Sequence, residues 1–374
     1  MPKNAQTENG ATAVPVTELF FALIRCGIGK ERQLPVTPST DEWKELFDIA
    51  KKQTLVGIAF AGIEQLPPAQ RPSKEILLPW YQLAQTIRKT NSRMNKSASL
   101  VSQKFKSEGF NNCILKGQGI AQLYPDPTLR TPGDIDIWLD GDCDRIIDYV
   151  KKYFPACTPT YHHVDFPVSP GLEIEIHYRP SWMYSRTSNT KLQKFFTNKA
   201  AEQFENTIST PEGTFPAPTL AFNRVYILLH IYRHLFFEGI GLRQILDYYY
   251  IISREMNETE RAEFLSVLQS LRLNKFAGAL MHVLQRIFAL DDAHMPVTPN
   301  KKLGEFLLHE IMIAGNFGKH DHRYRFGENK YSLKRATETI RRNYTLLTRF
   351  PSETLWSPYF KAWHYFWRKK RTIK

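Results

Sequence analysis

Two short stretches of the chain alternate carboxylates with isoleucines: Asp134-Ile135-Asp136-Ile137 and Glu173-Ile174-Glu175-Ile176-His177. A period of two marks a β-strand with one buried and one polar face, because successive side chains point to opposite sides. The isoleucines therefore enter a core. Asp134 and Asp136 share the other face of their strand, as do Glu173, Glu175 and His177 of theirs. Carboxylates held side by side repel unless a cation lies between them. A hard divalent ion supplies that charge, and Mg²⁺ (or Mn²⁺) accepts carboxylate oxygens while borrowing further ligands from water and nucleotide phosphates. Either stretch read alone also fits an ordinary solvent-exposed strand. Side by side in one small sheet, they offer the three carboxylates that a two-metal site needs.

The rest of the chain reads mostly as helix. Residues 17–26, the run opened by Ser39 and Glu42, and the long stretch 74–108 place apolar side chains at three-to-four spacing, with Trp43, Leu46, Trp80, Ile87 and Met94 inward. Prolines at 67, 68 and 72 break the pattern, and Gly109 ends it. Strands are expected at 112–115, 134–139, 163–168 and 172–178, with a helix over 142–154. Ser169-Pro170-Gly171 joins the last two strands as a hairpin turn. Helical spacing returns at 221–237, 242–253, 258–271, 275–288 and 302–314. The fold class expected is α+β, a small sheet with flanking helices between N-terminal helices and a helical C-terminal domain. The expected boundaries are a flexible N-terminus at 1–16, an N-terminal helical region at 17–109, an α/β core at 110–215, and a C-terminal domain with a basic aromatic tail at 216–374.

Leu115-Lys116-Gly117-Gln118-Gly119 lies where a strand gives way to a helix. Glycine permits close approach of a ligand, the helix start offers free N–H groups, and lysine adds charge, so Lys116, Gly117 and Gln118 are candidates for an anion site. The plain alternative is a turn that happens to contain a lysine. Its spacing matches neither a Walker loop nor a dinucleotide fingerprint, which excludes simple versions of both. Arg130, four residues before Asp134, is a candidate to neutralise phosphate, since a guanidinium pairs bidentately with such oxygens.

The order of these pieces, a glycine turn opening a helix, then Asp-x-Asp on a strand, then a further carboxylate between apolar neighbours, resembles the nucleotidyltransferase superfamily that includes DNA polymerase beta. More narrowly, Leu115-Lys116-Gly117, Tyr124-Pro125-Asp126-Pro127, Arg130, Gly133-Asp134-Ile135-Asp136 and Glu175-Ile176-His177 resemble the bacterial family called uncharacterised nucleotidyltransferase. Gly241-Leu242-Arg243-Gln244 with Asp247 is similar to that family's helical region. The resemblance implies a nucleotidyltransferase sheet of mixed strands and an enzyme that moves NMP from an NTP to an acceptor hydroxyl or phosphate, releasing pyrophosphate. It implies that Asp134, Asp136 and Glu175 are both metal ligands and catalytic residues, with Glu175 a better match than Glu173. Lys116, Gly117, Gln118, Arg130, His177 and Arg243 are the implied nucleotide contacts. Lys116-Gly117 departs from the superfamily's usual Gly-Ser or Gly-Gly. The acceptor stays open among a small molecule, a sugar, a peptide, RNA and a protein.

Other candidates have plainer readings. His162 and His163 read first as structural histidines and second as substrate contacts. His230 and His234, four apart on a helix, lack the adjoining glutamate of a zinc protease motif and read as core or supporting residues. Arg243 and Asp247 read as an intrahelical ion pair or, by resemblance, as cleft residues.

Charge and composition narrow the class. The 374 residues carry 50 Lys+Arg against 37 Asp+Glu, a formal +13. Residues 301–374 hold 17 of those basic residues and 6 of the acidic ones, so +11 of the excess sits there. That supports the alternative of a non-catalytic nucleotide- or RNA-binding module of a defence or toxin–antitoxin pair, because phosphate contacts dominate nucleic-acid affinity. The Arg224–His230 spacing, similar to that of certain helical RNases, points weakly the same way. The tail itself is expected to pack through its aromatics with Lys and Arg outward. Four scattered cysteines form neither a zinc knuckle nor a disulfide framework, and no apolar run is long enough to span a bilayer, so the expected compartment is the cytoplasm.

Overall fold

The computed structural model describes residues 14–168, 171–237, 239–323 and 333–372. Most of the segment expected to be flexible, and Ser169 and Pro170 of the expected turn, lie outside the described residues.

Four helices come first: α1 (Val16–Gly27), α2 (Thr40–Lys52), α3 (Val56–Gln65) and α4 (Lys74–Ser107). The start signal at Ser39 is a reciprocal capping box, with Ser39 N–H donating to Glu42 Oε2 at 2.7 Å and Glu42 N–H to Ser39 Oγ at 3.3 Å. Helix α3 is buried almost all round, including Val56, Ile58, Ala59, Phe60 and Ile63, so it shows no amphipathic period and escapes a reading based on one.

The α/β unit follows: β1 (Asn112–Leu115), α5 (Gly117–Ala121), β2 (Ile135–Leu139), α6 (Cys143–Tyr153), β3 (His163–Asp165) and β4 (Ile174–His177). The strands form one mixed sheet in the order β1-β2-β4-β3. β2 runs antiparallel to β1 and parallel to β4, and β3 returns antiparallel on β4 as the expected hairpin, with shorter strands. The fold class is thus α+β with a small mixed sheet, as the sequence implies.

Beyond the sheet come α7 (Arg186–Glu205), the two-stranded β5 (Thr207–Thr210) and β6 (Gly213–Pro216), and then α8 (Leu220–Phe237), α9 (Leu242–Ile252), α10 (Glu258–Leu271), α11 (Asn274–Phe288), α12 (Lys301–Ala314), α13 (Leu333–Leu346) and α14 (Pro351–Thr372). Helix α7 buries only Ser188, Leu192, Phe196 and Gln203, which leaves no apolar stripe to read.

The sheet separates two cores. Ile135, Ile137, Ile174 and Ile176 pack with Ile146, Ile147 and Val150 of α6 and with Met94 and Phe105 of α4. On the opposite face, Trp138 stacks on Phe222 of α8 at 5.8 Å and meets Phe204 of α7 at 4.8 Å, inside a core that runs on through α1–α3 and the C-terminal helices. Every residue of β2 is therefore buried. Asp136, on the same face as Trp138, sits under the C-terminal helices instead of in open water as on an exposed strand.

Helix α14 packs through part of its aromatic face. Phe360 docks on Tyr161 and Tyr184, with ring centroids 5.4 and 5.3 Å apart, and Arg371 pairs with Asp144 at the surface at 2.8 Å. Tyr359, Tyr365 and Phe366 stay exposed.

A close approach ties α3 to the loop before β2. A Cβ on Gly57 would lie 2.2 Å from the Leu129 carbonyl oxygen. Gly57→Ala forces helix and loop apart and is expected to cost about 1–3 kcal/mol, seen as a lower urea midpoint. An unchanged midpoint would show that the contact is soft.

Candidate active site

The register of two parallel strands builds the centre. Asp136 of β2 lies opposite Glu175 of β4. Both precede a buried isoleucine, so their side chains emerge on the same face, with Asp134 one step earlier on the same side. Glu173 is exposed and begins before the strand, whereas Glu175 is half-buried beside Asp136.

Asp136 is only 2% exposed. Its Oδ1 is 2.7 Å from Lys116 Nζ and 2.8 Å from His177 Nε2. Glu175 Oε2 lies 3.3 Å from His177 Nε2 and 3.0 Å from His163 Nδ1. Burial would raise both carboxyls, but Lys116 and His177 hold Asp136 below its ordinary value, and His163 and His177 hold Glu175 well below its own. Asp134 has no hydrogen-bonded cation among the described residues: the Asp136 charge, then burial, pushes it up to about 6 against the opposing Lys116 charge.

Lys116 reaches Asp136 from the β1–α5 junction with a backbone φ of +54°, a left-handed conformation that a lysine adopts at a cost. Burial on its own would lower its pKa, but Asp136, with Asp134 and Glu175 behind it, holds the ammonium charged. In this structure the lysine neutralises an aspartate, a role different from the free phosphate contact expected. Gln118 is placed elsewhere: it is buried away from the cleft, its Nε2 donating to Asn95 Oδ1 at 2.6 Å to pin α5 on α4.

His177 shows how the site fits a metal. Its Nδ1 lies 3.3 Å from the Arg179 carbonyl oxygen while Nε2 faces the two carboxylates. Both ring nitrogens face acceptors; burial favours the neutral ring, but Asp136 and Glu175 outweigh it and lift the pKa to about 9. A ring fixed through Nδ1 on a backbone carbonyl, with Nε2 aimed at carboxylates, is also how metal-binding histidines are oriented. Ligand atoms of Asp136, Glu175 and His177 all lie within 4.8 Å of one another. The donor set therefore suits a hard or borderline divalent ion, with Asp134 alongside.

The second layer comes from distant sequence. Arg130, expected at a phosphate, gives its fork to Asp247 of α9, with Nε and Nη2 donating at 2.7 and 2.8 Å. Tyr124 Oη donates to the same carboxylate at 2.8 Å. Asp247 is thus engaged by Arg130 and Tyr124, while Arg243 Nη1 donates to the Thr131 carbonyl at 2.9 Å. Of the two readings of Arg243 and Asp247, the intrahelical pair gives way to a clamp between α9 and the loop leading into β2, and both residues line a cleft. Arg130 keeps Nη1 and Arg243 keeps Nε without partners among the described residues, both on the wall of a cleft of about 1980 Å³.

Lys116, Gly117, Asp134, Asp136, Glu175 and His177 all line that cleft. His163, read first as structural, contacts Glu175 directly. His230 and His234 face the cleft with rings 4.3 Å apart, and burial, then Lys116, holds both below the usual histidine range. Arg224 is instead engaged with Glu260 at 2.8 Å and lies off the cleft. Sequence reading passes over Arg233, Trp182 and Tyr184, which also line it. An arginine inside the apolar run Ile231, Tyr232, Leu235, Phe236 was the available signal, because a buried charge needs a reason.

Carboxylates on adjacent strands of a small mixed sheet, next to a glycine turn, are the arrangement expected of a nucleotidyltransferase. Residues 39–289 match the family described as uncharacterised nucleotidyltransferase, and the chain belongs to it. No curated protein matches the chain. Among solved structures, an antigenic nucleotidyltransferase-like protein from Paracoccidioides brasiliensis is similar over 56% of this chain and 95% of that one, at 15% identity and a TM-score of 0.32.

Asp247→Ala removes the partner of a buried guanidinium and is expected to destabilise the fold by about 3–5 kcal/mol in urea unfolding. A loss near that of an ordinary surface substitution would mean that Arg130 does not depend on this pair.

Proposed function

We propose that the cleft binds an NTP with Mg²⁺ or Mn²⁺ and transfers its NMP to an acceptor hydroxyl or phosphate. The observation that carries this reading is the register of Asp136 against Glu175, with Asp134 alongside and its carboxyl pushed up to about 6 by the Asp136 charge and by burial. Asp134, Asp136 and Glu175, with His177 beside them, would hold the metal, which when bound neutralises the triphosphate and polarises the α-phosphate.

The chain's own groups divide the remaining work. Lys116, 2.7 Å from Asp136, is within reach of both the carboxylates and any phosphate brought to them. Gly117, with φ near +21° and no Cβ, leaves room for close backbone approach at the same turn. In the transfer, an acceptor oxygen forms a bond to the α-phosphorus as the bond to the β-phosphate oxygen breaks, pyrophosphate leaves, and the acceptor proton passes to the carboxylate cluster. Glu175, 3.0 Å from His163 Nδ1, is the member we assign to take that proton. The cleft also has space for an acceptor beside the nucleotide. Among the described residues no helix is long and apolar enough to cross a membrane.

Calorimetry with ATP, GTP, CTP and UTP in Mg²⁺ is expected to show binding of at least one nucleotide, lost on adding EDTA. Asp134→Asn with Asp136→Asn should lower nucleotide-dependent transfer roughly 100-fold or more. Glu175→Gln should act in the same direction and Glu173→Gln should stay near wild type. A double aspartate variant with wild-type turnover sinks the metal assignment, and a loss at Glu173 without one at Glu175 reverses the choice of third carboxylate.

A further inference from the structure

The cleft has a second charged pole, built by α8, the segment before α7, and α14. Arg233 of α8 is 4% exposed. Its guanidinium carbon lies 4.0 Å from the Trp182 ring centroid and 4.1 Å from that of Tyr184, so two aromatic faces hold it. None of its three side-chain nitrogens makes a hydrogen bond among the described residues. The nearest carboxylate, Glu353 of α14, is 3.9 Å from Nη1, beyond hydrogen-bond length. That carboxylate instead accepts the backbone N–H groups of Tyr184 and Ser185 at 2.7 and 2.9 Å. A guanidinium has five N–H donors, and leaving them unmade in a buried place is costly unless a ligand completes them.

Lys361 of α14 lines the same part of the cleft. Burial lowers its pKa first, and the Arg233 charge lowers it further, while Tyr184 acts against both. The Tyr184 phenol feels the same field: burial would raise it, yet Arg233 and Lys361 bring it below its ordinary value. Two cations that both act on Tyr184, with one backbone-bonded glutamate 3.9 Å from Arg233, form a pole of positive charge in a cleft whose other pole is acidic. Phosphate answers this chemistry, since its oxygens pair with the guanidinium fork and its double charge suits two cations.

We propose that Arg233 and Lys361 form a phosphate-binding subsite of the cleft, separate from Lys116 and the carboxylate cluster, which holds a phosphate group of a substrate. This rests on the nucleotidyl-transfer reading only for the identity of that substrate. The phosphate belongs either to the nucleotide's own chain or to a phosphorylated acceptor.

Tripolyphosphate in EDTA is the probe, titrated by calorimetry into wild type, Arg233→Met, Lys361→Met, Arg233→Lys and Lys116→Met. The expected result is a loss of affinity of about tenfold or more in Arg233→Met and Lys361→Met, with partial retention in Arg233→Lys, which keeps the charge and loses the fork. Lys361 is only partly buried, so its variant reads out the subsite even where Arg233→Met fails to fold. A non-hydrolysable NTP analogue with Mg²⁺ separates the sources. Weaker analogue binding in the same variants assigns the phosphate to the nucleotide. Unchanged analogue binding, with tripolyphosphate still taken up by the analogue-loaded protein, assigns it to the acceptor. Wild-type tripolyphosphate affinity in both Arg233→Met and Lys361→Met, or loss in Lys116→Met alone, overturns the subsite. If wild type binds no nucleotide while tripolyphosphate affinity still depends on Arg233, the subsite stands and the nucleotidyl-transfer reading falls.

Discussion

The buried Asp136 carboxylate is the point on which the rest of the site depends. A charge at 2% exposure survives in a protein interior only with partners, and here Lys116 and His177 converge on one of its oxygens. Each partner is placed by a different device. Lys116 arrives through a strained turn, and His177 through the next strand but one in the chain, set beside β2 by parallel pairing. Glu175 joins because a period of two puts it on the face of His177, and His163 joins because the β3 return strand brings it against Glu175. Remove the parallel β2–β4 register, and Glu175 and His177 would no longer meet Asp136.

Around this centre the fold applies the same logic at a larger scale. Isoleucines of the two central strands fill the core on one face, and Trp138 continues the carboxylate face into a packed interface with α7 and α8. The acidic cluster is thereby walled by helices that follow it in the chain. Arg130, Asp247 and Tyr124 then fasten α9 to the loop entering β2, so the helical region is part of the cleft wall. This explains why a cleft with one acidic and one basic pole can exist in a chain whose formal excess of +13 lies mainly in its last fifth. Much of that excess is on the surface, but Lys361 reaches the cleft and Arg371 an acidic partner.

What the sequence made legible was local. Alternation exposed Asp134, Asp136 and Glu175 as residues of shared faces, the Ser39–Glu42 capping box marked a helix start, and the glycine turn marked a strand-to-helix junction. What it left hidden depends on packing. No spacing rule tells Glu175 from Glu173; in the fold Glu175 lies opposite Asp136 while Glu173 precedes the strand. Arg130 looks like a phosphate ligand until Asp247, 117 residues later, takes its fork. Gln118 looks like part of an anion loop until Asn95 of α4 claims it. Helices α3 and α7 escape notice for opposite reasons, one buried nearly all round and the other with almost no apolar face. Arg233 lies in an apolar stretch, and only the aromatic side chains stacked on it and its unmade hydrogen bonds reveal a charge awaiting an anion.

In the proposed function, the Asp134, Asp136 and Glu175 cluster holds a divalent metal with a nucleotide. Anomalous diffraction from crystals grown with Mn²⁺ and a non-hydrolysable NTP analogue tests it most directly. The account predicts a manganese peak within coordination distance of Asp136 and Glu175 oxygens, with the Lys116 ammonium turned from Asp136 toward phosphate. A cleft without manganese, with the Lys116–Asp136 pair intact in the presence of the analogue, would contradict it.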